Sequence, residues 1–345
     1  MRSNRITLKD IAKECGCSAN TVSRALRDDT RISKALRDLV KETADRMGYI
    51  PNTMASSLRS GYSHMIAVIV NDLHNQHYCD LINRMDRELR GRNYTLMILC
   101  MQLEDELAEK LIHTAISMSV DGILYFPSVG QRHYVEYMTA NRMPFVLLDR
   151  RVSDLEADTV RCDDVQGGYL AGQHLAGLGH RKFLFLSGVE LSSSQLDRLN
   201  GFMTAMRENR IPEENVRVIP GEQVEEALLG NSLSELIFPM EYTAIVCFRD
   251  EVAYPVMNAL REHGVRIPED VSVISFDNLH AEDSSRPAVT SIYSADQNIA
   301  ALGVEMLLER IEDPSIAPRN IVLPVRIFEH GTTGPAAAAE TADGE

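Results

Sequence analysis

The chain contains no apolar run approaching the ~18–20 residues that a membrane span requires, so no membrane is expected among its partners. It begins Met1-Arg-Ser-Asn-Arg-Ile-Thr-Leu-Lys-Asp10, a polar amphipathic pattern without the apolar core of a signal peptide. Its six cysteines (Cys15, Cys17, Cys79, Cys100, Cys162, Cys247) are scattered and fit neither a C-x-x-C redox pair nor a zinc spacing. Cys15-Gly16-Cys17 is the one close pair, and no histidine cluster accompanies it. His74-x-x-His77 falls where a loop is expected and lacks a third ligand. No metal and no cofactor are therefore expected, and a reducing compartment is the plain reading. A nucleophile elbow, a P-loop and a metal triad are also missing, and Gly177-Leu-Gly179 reads as a helix end rather than a dinucleotide turn. These absences argue against an enzyme.

The net charge of −15 looks wrong for a nucleic-acid binder until it is divided along the chain. Residues 1–62 hold 12 Lys/Arg against 7 Asp/Glu, or +5, and the remaining residues hold 23 against 43, or −20. A basic head on an acidic body gathers phosphate attraction at one end and repels DNA elsewhere.

In that basic head, Thr7-Leu-Lys-Asp10 has the form of a helix start, with the Thr7 hydroxyl placed to cap first-turn amides. Leu8, Ile11, Ala12 and Cys15 follow at helical spacing, and Gly16 breaks the helix. Ser18 caps a second helix from Ala19 to about Leu26, with Val22 and Leu26 facing inward. Two short helices across a Gly-containing turn make the helix-turn-helix geometry, in which the start of the second helix meets base edges in the major groove. A third amphipathic helix, with Leu36, Leu39, Val40, Ala44 and Met47 apolar, runs from Ser33 to about Met47 and ends at Gly48. Helical spacing alone leaves a three-helix bundle with no DNA role equally open.

The stretches Thr7-Leu-Lys-Asp-Ile-Ala-Lys, Ser18-Ala-Asn-Thr-Val-Ser-Arg-Ala-Leu26, Arg31-Ile-Ser and Met47-Gly-Tyr-Ile-Pro-Asn52 resemble the headpiece of the LacI/GalR family of transcriptional regulators. The likeness continues to about residue 333. It implies a bacterial, cytoplasmic protein, nucleoid-associated when bound to a palindromic double-stranded DNA operator, most simply as a repressor. In the family three recognition-helix positions read bases, and they fall here on Ala19, Asn20 and Arg24. Arginine can grip guanine O6/N7 and asparagine adenine N6/N7 with two hydrogen bonds each, whereas Ala19 offers only a methyl. Thr21 and Ser23 are expected on phosphates, fixing register without reading sequence. Asn52 to Gly61 resembles the family's hinge helix, too short to be stable alone. The resemblance places Ala55, Leu58 and Arg59 at the minor groove, with Leu58 wedged between base pairs. Ser56 stands where many relatives carry arginine.

From Met65 the pattern changes to short apolar runs alternating with amphipathic helices. Candidate strands are Met65–Val70, Tyr94–Leu99, Gly122–Phe126, Phe145–Leu148, Lys182–Leu186, Ala244–Phe248 and Val271–Phe276, separated by helices such as Cys79–Arg90, Gly167–Leu178 and Asp197–Glu208. Such alternation means parallel sheets covered on both faces, with ligands beyond the carboxyl ends of the strands. The fold class is thus an all-α helix-turn-helix headpiece with a hinge, followed by an α/β domain. The resemblance makes that domain periplasmic-binding-protein-like, of type 1. It implies two subdomains, one of about 63–163 and 294–323 and the other of about 164–293 and 324–333, with an effector cleft between them. Residues 334–345 read as a frayed acidic tail. Carried across position by position, the cleft residues fall on Asp72, Tyr78, Asp149, Ser192, Ser194, Arg198, Arg249 and Asp277. The acids among them can hold a polyol or merely cap following helices.

Arg249-Asp250 stands where relatives usually carry Asn-Asp, Gln223 falls near the place of a stacking aromatic, and Ala253-Tyr254-Pro255 replaces an Ala-x-Gly step. An arginine in a closed cleft can bind a carboxylate or phosphate bidentately, which points to an anionic effector such as a sugar acid or sugar phosphate. The alternative is that Arg249 pairs with Asp250, Asp277 or Asp72 and neutralises the pocket. Two-fold operators need two headpieces, so a homodimer is expected, and no tetramer-forming heptad is visible. Two rivals share parts of this pattern. A free-standing solute-binding protein would need an export signal, and a regulator could take a phosphocarrier protein in place of a small effector.

Overall fold

The computed structural model describes residues 6–50, 61–101, 105–128, 130–152, 155–188, 193–279, 288–294 and 298–337. They fall into two compact units, which meet between Ser63 and His64.

The first unit is a trihelical headpiece: α1 (Leu8–Glu14), α2 (Ala19–Ala25) and α3 (Lys34–Met47). Thr7 and Asp10 close a capping box at the start of α1: the Thr7 amide and hydroxyl both donate to Asp10 Oδ2, at 2.8 and 2.7 Å, which places the carboxylate at the positive end of the helix. Gly16 turns the chain at φ +64°, in the left-handed region that favours glycine. Ser18 Oγ then accepts the Thr21 amide at 3.0 Å, opening α2. Gly48, at φ +67°, ends α3. Ile11, Ala12, Val22, Ala25, Val40 and Ala44 form the core. Leu39, on the apolar face expected for α3, is instead half exposed. The hinge residues Ala55, Leu58 and Arg59, together with Asn52, lie outside the described residues.

The second unit is built on two six-stranded sheets. The first takes β1 (Met65–Val70), β2 (Thr95–Cys100), β3 (Gly122–Tyr125), β4 (Phe145–Leu148), β5 (Thr159–Cys162) and β11 (Asn320–Leu323), all parallel, in the order β11-β5-β4-β3-β1-β2. The second takes β6 (Phe183–Leu186), β7 (Val216–Ile219), β8 (Ala244–Cys247), β9 (Ser272–Phe276), β10 (Thr290–Ser294) and β12 (Val325–Phe328), in the order β12-β10-β9-β8-β6-β7 with β12 antiparallel. The chain passes between the sheets after β5, after β10 and after β11.

Helices α4 (Gln76–Arg90), α5 (Asp105–Ser117), α6 (Arg132–Ala140) and α12 (Ile299–Glu312) cover the first sheet. Helices α7 (Asp164–Gly177), α8 (Ser193–Glu208), α9 (Gly221–Leu229), α10 (Leu233–Ile237) and α11 (Asp250–Glu262) cover the second. Apolar side chains on both faces of the central strands, such as β1 (Met-Ile-Ala-Val-Ile-Val), are buried against them. The tail expected to fray from residue 334 is tied down at its start. Gly334 N donates to Ser272 Oγ at 3.0 Å, its carbonyl meets His180 Nε2 at 3.0 Å, and Ala336 N donates to Leu178 O at 2.8 Å.

Candidate functional site

On the headpiece, α2 presents Asn20 to solvent, with Ala19 and Thr21 half buried beside it. Thr21 Oγ1 lies 2.9 Å from Ser18 Oγ, so its hydroxyl is tied to the helix cap. Ser23, expected on phosphates, is buried within the headpiece instead, one residue along from the core residue Val22. Arg24 is not a loose side chain: its Nε donates to Asp29 Oδ2 at 2.9 Å. Arg31 closes on the same carboxylate at 2.8 and 3.0 Å. Hydrogen bonds from Arg31, then from Arg24, hold the Asp29 carboxyl well below the usual range. A guanidinium gripped through Nε is oriented before DNA arrives, which lowers the entropy lost on forming a two-bond contact with guanine.

In the α/β unit, cleft residues follow strand ends. Asp149 follows β4 at φ +65° and Asp277 follows β9 at φ +92°. Both are nine-tenths buried. Their left-handed backbones are strained for residues with a Cβ and aim the carboxylates off the strand ends. Arg198, on α8, organises the second lobe. Its Nε donates to Asp164 Oδ1 at 2.8 Å and one terminal nitrogen to Phe248 O at 2.8 Å, while the other lies 3.4 Å from Asp277 Oδ1. The guanidinium is packed against the rings of Phe276 and Phe248, 4.4 and 4.9 Å from their centroids. Burial disfavours its charge, but Asp164, Asp277 and Asp149 outweigh that and raise its pKa. Asp164 shows the reverse balance, with burial pushing it up to about 6 despite Arg198.

The first lobe contributes α4. The Asn75 side chain accepts the His77 amide at 2.9 Å and starts the helix three residues before the expected Cys79. That brings His77 and Tyr78 into the wall. The Tyr78 hydroxyl accepts from Arg150, whose guanidinium lies 5.8 Å from the Tyr78 ring centroid. His77 Nε2 lies 3.6 Å from Asp149 Oδ1. Burial works against the imidazolium, yet Asp277 and Asp149 raise its pKa to about 9. Burial likewise works against the Asp149 charge, and His77, Arg150 and Arg198 hold that carboxyl down at about 2.

Arg151 and Gln76 join the lobes around these residues. Arg151, after β4, donates its amide to Ser193 Oγ at 3.0 Å and its guanidinium to Asp197 at 2.9 Å. The Gln76 amide donates to Glu251 Oε1 at 2.6 Å.

Arg249 departs from the pairing expected for it: it meets none of Asp250, Asp277 and Asp72, but Glu225 at 2.6 Å and Glu251 at 3.2 Å. Asp250 turns away to accept Leu279 N at 2.6 Å and Ser291 Oγ at 2.8 Å. Asp72 accepts the amide and ring of exposed His74, so it works as a turn cap. His74 is fully exposed and His77 buried, so the H-x-x-H pair does not converge. Ser194 is buried on α8, and Ser192 lies outside the described residues. The structure therefore brings together Tyr78, Asp149, Arg198 and Asp277. It adds His77, Asp164, Arg150, Glu225 and Glu251, whose roles depend on partners 24 to 200 positions away and on a helix cap, Asn75, that periodicity does not reveal.

Comparison with known proteins agrees with both halves. Residues 7–52 match the model of bacterial regulatory proteins of the lacI family, and residues 173–333 match that of periplasmic binding protein-like domains. The chain is 28% identical over 330 residues to the HTH-type transcriptional repressor PurR of Vibrio atlanticus (strain LGP32), covering 94% of this chain and 98% of that protein. It is 27% identical, with a TM-score of 0.69, to a LacI family transcriptional regulator from Enterococcus faecium solved with bound ribose, covering 79% of this chain and 99% of that one. It shares the fold of the lac repressor dimer bound to operator and the anti-inducer ONPF, with a TM-score of 0.80 at 23% identity over 96% of this chain and 100% of that one.

Proposed function

We propose that the chain is a DNA-binding repressor of the lacI family of bacterial regulatory proteins with an effector domain, and that its cleft takes a neutral, polyhydroxylated small molecule whose binding sets operator affinity. One observation carries the choice of ligand class. Arg249, the cation that would draw an anion, is already committed to Glu225 and Glu251. Arg198 is likewise committed to Asp164 and Asp277. A sugar acid or sugar phosphate would have to displace those carboxylates, whereas hydroxyls can donate to the remaining lone pairs of Asp149 and Asp277. The relative solved with ribose supports the same class.

The DNA reading assigns Asn20 and Arg24 to base edges, Ala19 to a thymine methyl, Thr21 to phosphate, and Ala55, Leu58 and Arg59 to the minor groove of a palindromic operator bound by a homodimer. Ligand bound across the lobes alters their angle and thereby the spacing of the two hinges. Effector and operator must then change each other's affinity by the same factor.

Thermal unfolding against neutral pentoses and hexoses, sugar acids and sugar phosphates tests the ligand class. A ligand at a hundred times its Kd stabilises by about 2.7 kcal/mol, visible as a raised midpoint. Shifts with neutral sugars alone support the reading. Shifts confined to anions, and abolished by Arg249→Ala, would return the cleft to an anionic effector. An Arg24→Ala, Leu58→Ala double variant should lose the operator and keep the ligand, and a retained operator preference would sink the DNA assignments.

A further inference from the structure

We infer that Arg151 is a latch between the lobes, whose pairing with α8 sets the resting angle of the effector domain whichever ligand the cleft takes. Arg151 follows β4 in the first lobe, and both its partners lie on α8 in the second. Its amide donates to Ser193 Oγ at 3.0 Å, and Nη2 donates to Asp197 Oδ1 and Oδ2 at 2.9 and 3.3 Å. Ser193 and Asp197 stand one helical turn apart, so they present their oxygens on the same face of α8. One residue therefore grips the helix at two points, through its main chain and its side chain. The Asp197 side chain is only 8% exposed. Opening the lobes gives up both bonds, and the buried carboxylate gives the pair more weight than an exposed ion pair has.

A second contact between the lobes lies at a different helix start. Gln76 is the first residue of α4, so its main-chain amide has no acceptor within the helix. Glu251 on α11 supplies one at 2.6 Å and sets a carboxylate at the positive end of α4. Glu251 is itself steadied within the second lobe by Arg249, at 3.2 Å. In both contacts the first lobe donates and the second accepts, and every group belongs to the chain itself. Closure by this route needs no ligand, so an effector acts on an angle that Arg151 has already biased. The competing role for Arg151 is a local ion pair that leaves lobe opening unchanged.

Hydrogen exchange of the full chain, resolved to single amides by mass spectrometry, separates the two roles, because the Gln76 amide is bonded across the lobes and away from α8. Arg151→Gln keeps a polar side chain at a position 40% exposed and should leave each lobe folded. In this variant the Gln76 amide is expected to exchange about 3- to 10-fold faster than in wild type, with the amides of β1 and β6 unchanged. A Gln76 rate that Arg151→Gln leaves unchanged overturns the inference. Acceleration of the β1 and β6 amides by the same factor overturns it too, since the pair would then support the fold as a whole rather than the angle between its lobes. Should Arg151→Gln fail to fold, Asp197→Asn, which keeps the side-chain volume and removes the charge, is read in the same way. Neither result bears on the ligand class of the cleft, which the thermal shifts decide separately.

Discussion

Arg198 and Gly168 touch through their backbones: a Cβ built on Gly168 would lie 1.8 Å from the Arg198 carbonyl oxygen. Gly201 makes the reciprocal approach from α8, where a Cβ would lie 2.0 Å from Val165 O on α7. Helices α7 and α8 are thus packed backbone against backbone, and that contact sets the position from which Arg198 reaches Asp164, Phe248 and Asp277. Gly168→Ala must push the helices apart. The expected cost is about 1–3 kcal/mol or more in urea unfolding, as for an overpacked core. Because Arg198 moves with α8, effector affinity should fall as well. A variant with wild-type stability and wild-type affinity would show that the helices are not held this closely.

The parts of this arrangement legible in the sequence were those written in local pattern. Capping residues and glycines located the headpiece helices within a residue or two, and continuous apolar runs marked β1, β3, β4, β6, β8 and β9. Strand β10, Thr-Ser-Ile-Tyr-Ser, is not marked by an apolar run: its hydroxyls are buried on specific partners, Thr290 Oγ1 accepting from His330 N and Ser291 Oγ donating to Asp250, rather than in an apolar layer. Strands β5, β7, β11 and β12 (Thr-Val-Arg-Cys, Val-Arg-Val-Ile, Asn-Ile-Val-Leu and Val-Arg-Ile-Phe) each carry a polar or charged residue within four, so no continuous apolar run marks them. Charge pairing was the least legible. That Arg249 would settle on Glu225 depends on α9 lying beside the end of β8, which only the tertiary structure shows.

Arg24 is held through Nε by Asp29, so its substitution should be felt on DNA far more than in stability. Arg24→Ala is expected to weaken cognate operator binding by about 10- to 100-fold, the 1–3 kcal/mol of a bidentate base contact. Nonspecific binding, dominated by phosphates, should change little. Asp29→Asn removes the carboxylate that orients Arg24 and should reduce discrimination at the same base pair while leaving the others intact. Fluorescence anisotropy on operators mutated one base pair at a time measures both. An equal loss on every sequence would make Arg24 a phosphate contact instead.

His180 predicts the acid side of the stability profile. It is 1% exposed, with Nδ1 2.8 Å from Thr243 Oγ1 and Nε2 at 2.9 Å from Ser272 Oγ and 3.0 Å from Gly334 O. Burial lowers its pKa below the ordinary 6.5, so the unfolded chain binds the proton more readily than the folded one. Its contribution is complete above pH 6.5 and is lost as pH falls below that value. His180→Gln should flatten the acid limb of urea midpoints measured from pH 7 to pH 5. An unchanged slope would assign the acid sensitivity to His174, whose pKa burial also lowers.

His77 acts in the opposite direction at the alkaline end. Asp277 and Asp149 overcome its burial and raise its pKa to about 9, so here the folded state binds the proton more tightly than the unfolded chain does. The stabilisation is fully present below about pH 6.5, declines above it, and is gone once pH passes through about 9. Its size is bounded by the shift, at most on the order of 3 kcal/mol. Above pH 9 the neutral ring no longer offsets Asp149 and Asp277 and leaves them to Arg198 and Arg150, so closure should weaken together with stability. Urea unfolding from pH 6 to pH 10 should show a falling midpoint in wild type and a flatter profile in His77→Phe. Equal slopes in the two proteins would mean that the imidazole is already neutral at pH 7, and that Arg150 and Arg198 alone hold the Asp149 charge.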